Sequence, residues 1–178
     1  MFNRFASAAR LAVIEAVRVA QTGRSAEVTD EHLLRALLAQ PGSTSAGLLD
    51  AAGVTGDKVD AAYLAADRKG GLSDAEAESL LRELGIDVDQ VVERIESKLG
   101  AHALADVSRR RGKHVPFGGT AKSILRGALR EAQARRDRDL GDEHLLLAIA
   151  AHDGVAAQLL ASHGLSYLDI RARLAKAS

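Results

Sequence analysis

The pentapeptide Asp30-Glu31-His32-Leu33-Leu34 returns as Asp142-Glu143-His144-Leu145-Leu146, and the 112-residue offset between the copies holds well beyond it. At that offset Phe5 falls on Phe117, Ala9 on Ala121, Val13 on Leu125, Ala16 on Ala128, Val17 on Leu129 and Ala20 on Ala132, without a gap. After one deleted residue the register becomes 111, and Leu48-Leu49, Gly53, Val54 and Val59 meet Leu159-Leu160, Gly164, Leu165 and Ile170. The chain is an internal duplication. A repeat is read before any single element because it sets the fold.

Ala9, Val13, Ala16, Val17 and Ala20 recur three or four apart, which predicts a helix from Phe5 to about Thr22 with one apolar stripe. Asp30 stands before the run Leu33, Leu34, Leu37 and Leu38, where its carboxylate is expected to cap a second helix that ends at Gln40-Pro41-Gly42. A short third helix carries Leu48-Leu49 and stops at Gly53, and Thr55 opens a fourth with Val59 and Leu64 on its buried side. The second copy repeats the plan: Thr120 to about Arg136, Asp142 to about Ala151, Val155 to His163 with Gly164 as cap, and Ser166 to the end. The expected fold is all-α, two pseudo-symmetric four-helix repeats (1–69 and 117–178) in a single domain.

Between the repeats, a helical insert and linker over 70–116 is expected. Ser73 with Glu76 and Asp87 with Gln90 have the spacing of a capping box. Leu80-Leu81 followed by Gly85-Ile86 echoes the closing helix pair of each repeat, and the linker proper is placed at Ala101 to Pro116.

With 178 residues the chain has the size of one domain, and its 24 basic and 24 acidic side chains balance, so no global field steers it to nucleic acid or to an anionic membrane. Cysteine is absent, which excludes disulfides and thiolate chemistry and is compatible with a reducing cytoplasm. Arg4, Arg10, Glu15 and Arg18 interrupt the amino-terminal apolar residues, and no stretch approaches the ~20 apolar residues needed to span a bilayer. A soluble cytoplasmic protein without a signal peptide is expected.

The two Asp-Glu-His-Leu-Leu blocks, the opening Met1-Phe2-Asn3-Arg4-Phe5 and His114-Val115-Pro116-Phe117 at the entry to the second repeat carry a resemblance. Together they are similar to the double-repeat amino-terminal domain of the Clp (Hsp100) AAA+ unfoldases, above all the ClpC type of actinobacteria. The resemblance covers both halves and leaves roughly residues 70 to 112 as an enlarged middle. It implies a helical cap that receives polypeptide substrates and adaptor proteins, with two repeat sites that bind phosphorylated arginine in ClpC-type members. No Gly-x-x-x-x-Gly-Lys-Ser/Thr phosphate loop occurs in the chain, so the resemblance implies a recognition module without the motor.

Carried over residue by residue, Glu31 and Glu143 match the glutamates that face the guanidinium of the bound phosphoarginine, a task suited to a carboxylate that can take a fork of N–H donors. Each is equally readable as a first-turn acid favoured by the helix dipole, worth about 0.3–1 kcal/mol. Phe2 and Phe117 match positions beside the groove between the repeats, a hydrophobic docking surface in ClpC-type domains; core packing is the alternative, and Phe5 is read as core. The chain departs from the family where Asp30 and Asp142 replace the usual threonine, and where Ala6 and Gly118 replace the hydroxyl residue after each opening phenylalanine. Adjacent anions repel by roughly 1 kcal/mol at 4 Å even in bulk water. An unmodified arginine or another cationic segment therefore suits these acids better than a phosphorylated one.

His32 and His144 lie in different repeats with no second histidine four residues away, so they read as residues that hydrogen-bond and pack between helices, and no metal or cofactor is expected. The densest basic run is Arg109-Arg110-Arg111-Gly112-Lys113, with Arg135-Arg136-Asp137-Arg138 further on. It supports the alternative of a DNA-associated helical protein, but it lacks interleaved aromatics and reads more simply as a solvated linker. Neither a Gly-x-Ser-x-Gly elbow nor a His-Glu-x-x-His helix is present, and no enzyme is expected. The expected function is a protein- and peptide-binding module of the Clp protease system. It recognises substrates, adaptors or cyclic peptides, or acts as a decoy for a Clp unfoldase's own amino-terminal domain.

Overall fold

The computed structural model describes residues 5–70 and 115–177. Met1–Tyr63 with Val115–Ser178 form one compact unit, and Leu64–His114 a second, of which the described part is the end of one helix. Phe2, both capping boxes of the insert, its Leu80-Leu81/Gly85-Ile86 echo and the Arg109–Lys113 run lie outside the described residues.

Among the described residues the secondary structure is eight helices: α1 (Ser7–Thr22), α2 (Asp30–Leu38), α3 (Thr44–Ala51), α4 (Gly56–Gly70), α5 (Gly119–Arg135), α6 (Asp142–Ala150), α7 (Val155–Ser162) and α8 (Tyr167–Ala177). The order α1–α4 repeats as α5–α8, as the duplication requires. Alanines at equivalent places, Ala9/Ala121, Ala16/Ala128 and Ala20/Ala132, are buried in both copies and let α1 pack on α2 and α5 on α6. The helix ends repeat too. Gly53 and Gly164 both take φ +68°, and Arg24 and Arg136 take φ +54° and +60°, a conformation that a side chain disfavours. The turn after each opening helix closes by the same bond, Ser25 N–H to Ala20 O and Asp137 N–H to Ala132 O, 2.9 Å each.

The repeats differ in depth. Leu145, Leu146, Leu147, Ala148 and Ile149 are all buried, so α6 is apolar on every side and packs against helices of both repeats. In α2 the counterpart of Leu147 is Arg35, which stays partly exposed. Each fully buried leucine contributes about 1.5–3 kcal/mol, which makes α6 the main apolar anchor of the unit.

Two expectations need correction here. The first helix begins at Ser7, because Phe5 and Ala6 are drawn into an extended pairing described below. Leu64 is 54% exposed. Lying five residues past Val59, it is turned about 140° away from that buried residue, and Ala62 and Tyr63 pack against the core instead.

Candidate functional site

The opening segment of each repeat crosses to the other repeat. Phe5 pairs in parallel with Leu140, and Phe117 with Val28. The Ala6 N–H donates to Leu140 O (2.9 Å), and its counterpart, the Gly118 N–H, donates to Val28 O (2.9 Å). The Val28 N–H donates in turn to Pro116 O (2.8 Å). Local chemistry favours this: Pro116 has no N–H to give a helix and disfavours helical backbone in Val115 before it. Val28 and Leu140 are buried at the crossings, while Phe5 and Phe117 are partly buried and pack against the core. Phe117 is thereby held beside the start of α2, in the other repeat.

Both histidines shape the helix start that follows. The Thr29 N–H donates to His32 Nδ1 (3.0 Å) and the Gly141 N–H to His144 Nδ1 (2.9 Å). An amide can only donate, so Nδ1 is unprotonated and the proton of the neutral ring sits on Nε2. There it reaches the loop seven residues upstream, at Ser25 Oγ (3.0 Å) and Asp137 Oδ2 (2.8 Å). Burial holds His32 below the usual imidazole range, with Arg35 pulling the same way against Glu31 and Asp30. At Asp137, burial pushes the carboxyl up, but hydrogen bonds from His144 and Arg135 outweigh it and leave the group lowered.

Asp30 and Asp142 are therefore not the caps of their own helices, which begin after Thr29 and Gly141. Asp142 reaches across to the other repeat, whereas Asp30 bonds within its own. Asp142, 5% exposed, accepts the N–H of Ser45 in the first turn of α3 through Oδ2 at 2.7 Å. The counterpart of Ser45 is Ala156, in the first turn of α7, and at that end Asp30 Oδ2 accepts the Tyr63 hydroxyl at 2.6 Å. A methyl group built on Gly154, just before α7, would lie 3.4 Å from the same oxygen. The Tyr63 phenol is pushed far above its ordinary value, first by burial and then by Asp30, with the Ala156 backbone amide pulling the other way. Asp142 is thus a direct fastener between the repeats, and Asp30 acts there only through Tyr63, whose hydroxyl meets the Ala156 amide of repeat two. Nothing in the pattern of a single repeat signals either role.

The two glutamates occupy different surroundings. Glu31 lines a groove of about 450 Å³ between α1 and α2, together with Arg18, Val19, Thr22 and Ser25. Its Oε1 accepts from Arg35 Nε (3.0 Å) and Nη2 (2.8 Å), and Arg35 also pairs with Asp60 on α4. Glu143 has no such arginine, because Leu147 stands in that position. Its carboxylate folds back over Gly141, in space that a side chain at that position would fill. Burial raises the Glu143 carboxyl, and the neighbouring Asp142 charge adds to it against the pull of His144. A further acid, Glu27, was not singled out by the sequence: a methyl group on Gly118 would come within 2.5 Å of its carboxylate, which lies against the start of α5.

Among the described residues no group of three or more His, Asp or Glu side chains could hold a metal ion. No single helix there is long and apolar enough to cross a membrane.

A family model for the Clp repeat (R) N-terminal domain matches residues 4–70 and 69–163. The chain belongs to the Clp N family. The all-α double-repeat fold agrees with that membership. Among solved structures, the N-terminal domain of the caseinolytic protease associated chaperone ClpD from Arabidopsis thaliana is similar over 100% of both chains, at 19% identity and a TM-score of 0.57. A chain from structural investigations of a malarial protein secretion system is similar over 98% of this chain and 94% of its own, at 11% identity and a TM-score of 0.55. At these identities the likeness concerns the fold. Clp N domains are non-catalytic protein-interaction modules of Clp chaperones, and a general protein-binding role follows for this member.

Proposed function

We propose that the chain binds polypeptide segments for a Clp protease system in the cytoplasm, as an adaptor-like receiver of substrates or as a decoy competing with a ClpC-type unfoldase's own amino-terminal domain. The observation that carries this reading is the crossing itself. By pairing with Val28, the Phe117 segment of repeat two is fixed beside the Asp-Glu-His start of repeat one, and the Phe5 segment makes the equivalent crossing at Leu140. Phe2, three residues before Phe5, is the proposed aromatic partner of Phe117 in the peptide-binding groove.

The charge around each crossing favours a basic ligand. At the α5 start, Glu27 already lies where an anion would be drawn by the helix end, and Ala6 and Gly118 offer no hydroxyl. An unmodified arginine presented to Glu31 exchanges with Arg35, which keeps Asp60 as its partner. The ligand class is therefore apolar segments carrying unmodified arginine.

Fluorescence anisotropy with a labelled apolar, arginine-containing peptide, in plain and arginine-phosphorylated forms, tests the proposal. The plain peptide is expected to bind more tightly. Combined Glu31→Gln and Glu143→Gln should weaken it, as should combined Phe2→Ala and Phe117→Ala. Loss of a central aromatic anchor typically costs about 2 kcal/mol or more, roughly thirtyfold in affinity. Equal binding by parent and both variants refutes the site. Tighter binding of the phosphorylated peptide refutes the ligand class.

A further inference from the structure

The duplication allows the same surface to be compared in two copies of one ancestor. On α5, Lys122, Arg126, Leu129, Arg130 and Gln133 lie at spacings that put them on one helical face, and all five are exposed. Their counterparts on α1 are Arg10, Ile14, Val17, Arg18 and Gln21. Repeat one is less cationic on this face: Arg18 is held by Glu15 at Nε–Oε2 2.8 Å, Arg10 donates to Phe5 O at 3.3 Å, and Ile14, with neighbouring Leu11, is exposed and apolar. Repeat two does the reverse. Arg126 replaces Ile14, and Gly127 replaces Glu15, removing the neutralising acid. The glycine has a packing cause, since a methyl group there would come 3.2 Å from the Ala148 Cβ of α6. The one acid of α5, Glu131, is turned away and accepts from the Tyr167 hydroxyl at 3.0 Å. Lys122, Arg126 and Arg130 pair with no carboxylate among the described residues, and exposed Arg136 and Arg138 follow at the end of the helix.

We infer that this face of α5 is a second docking surface, taken by an acidic segment of a partner polypeptide. Three cations four residues apart present positive charge about every 6 Å along roughly 12 Å of helix. A helical segment with carboxylates at i and i+4 matches that ladder. Leu129, 40% exposed among the cations, selects protein over nucleic acid, because a phosphate backbone offers nothing apolar to cover it. Asp137 and Asp139 at the end of the stripe likewise repel a continuing polyphosphate. The surface is distinct from the crossings, which carry acids and call for a basic ligand. Opposite preferences on one molecule suit a module that holds a partner by one face and a substrate by another.

The probe is a labelled helical peptide with glutamates four residues apart and leucines on the same face. Its glutamine version and a labelled duplex DNA of similar length serve as controls, all at physiological salt. The acidic peptide is expected to bind and the controls not to. Combined Lys122→Gln, Arg126→Gln and Arg130→Gln should lower its affinity at least tenfold, and Leu129→Ala should lower it less. The arginine peptide of the crossings should bind the triple variant as before, and Glu31→Gln with Glu143→Gln should leave the acidic peptide unaffected, so each site fails separately. If the triple variant melts below the parent, the single Arg126→Glu at the centre of the stripe replaces it, with a severalfold loss expected. Absence of acidic-peptide binding overturns the inference, as does unchanged binding by the charge variants. Tighter binding of the DNA, lost in the triple variant, overturns it in favour of a nucleic-acid face.

Discussion

Replacing Asp142 tests whether the repeats are fastened by polar contacts or by apolar packing alone. The carboxylate is buried and receives a fully buried amide, Ser45 N–H, at 2.7 Å. In Asp142→Ala the amide loses its acceptor where water does not reach. A hydrogen bond to a charged group contributes about 1.5–3 kcal/mol, and a stranded buried donor costs a similar amount. The expected loss is about 2–3 kcal/mol, which for a chain of this size is a fall in Tm of about 4–12 °C. Asp142→Asn keeps an oxygen in place and gives up the charge, so it should cost only about 1 kcal/mol. Asp30→Ala should fall between them, because Asp30 is less buried and its partner is a hydroxyl rather than an amide. Thermal melts followed by far-ultraviolet circular dichroism near neutral pH read all three. A melt of Asp142→Ala within about 1 °C of the parent would refute the fastening role, and so would an Asn variant as unstable as the Ala variant.

The remaining predictions concern titration, backbone and the second glutamate. His32 is held neutral in the fold below its ordinary value of 6.5, so its contribution to stability is complete above that pH and is lost as the pH falls toward its folded value; a ring-proton NMR titration with a midpoint at or above 6.5 contradicts this. Arg24→Gly and Arg136→Gly relieve a left-handed backbone that costs a side chain about 1–2 kcal/mol, less the entropy that glycine loses on folding. Each should therefore raise Tm by a few degrees, and a fall in both melts would show that the arginine side chains hold contacts worth more than the strain. Gly141→Ala fills the space over which the Glu143 carboxylate folds, so the side chain must swing outward and its raised pKa should drop toward the ordinary carboxyl value; a carbon-detected titration unchanged from the parent would contradict the inward placement.

Much of the fold was legible because the duplication made each expectation testable against its own copy. A glycine after a short apolar helix is weak as a single signal, but Gly53 and Gly164 recur in register and both adopt the same left-handed turn. The caps were misread for the opposite reason. An aspartate before an apolar run has the look of an N-cap, yet the histidine three residues into each helix takes that place by accepting the amide of Thr29 or Gly141, freeing Asp142 to reach the other repeat and Asp30 to hold Tyr63. That distinction depends on what lies across the interface, and the linear pattern contains no trace of the interface. The crossing of the opening segments was invisible for the same cause: Phe5 and Phe117 were recognised as equivalent, but nothing local says that each pairs outside its own repeat. Arg35 and Glu27, which set the charge seen by a ligand, required the fold to bring α2, α4 and the start of α5 together.

The identical Asp-Glu-His letters share one use of the histidine, and the two glutamates then diverge. In both copies the histidine is spent on its own helix start, while Asp142 is spent on the partner repeat and Asp30 on Tyr63, which leaves the glutamate as the member open to a ligand. What it meets is decided four residues on. Arg35 keeps Glu31 turned toward the α1–α2 groove, a position that a ligand guanidinium can take over at little loss, since Arg35 retains Asp60. Leu147 supplies no such partner, being needed in the core, and Glu143 retreats over Gly141 where burial raises its pKa. Repeat one therefore presents a ready anionic site, whereas repeat two must first expose its carboxylate against that burial. Under the proposed function, a single-repeat ligand engages Glu31 first, and Glu31→Gln should weaken binding more than Glu143→Gln does. The reverse order in the anisotropy assay would mean that the retreat of Glu143 is no obstacle and that pairing with Arg35 is the stronger lock.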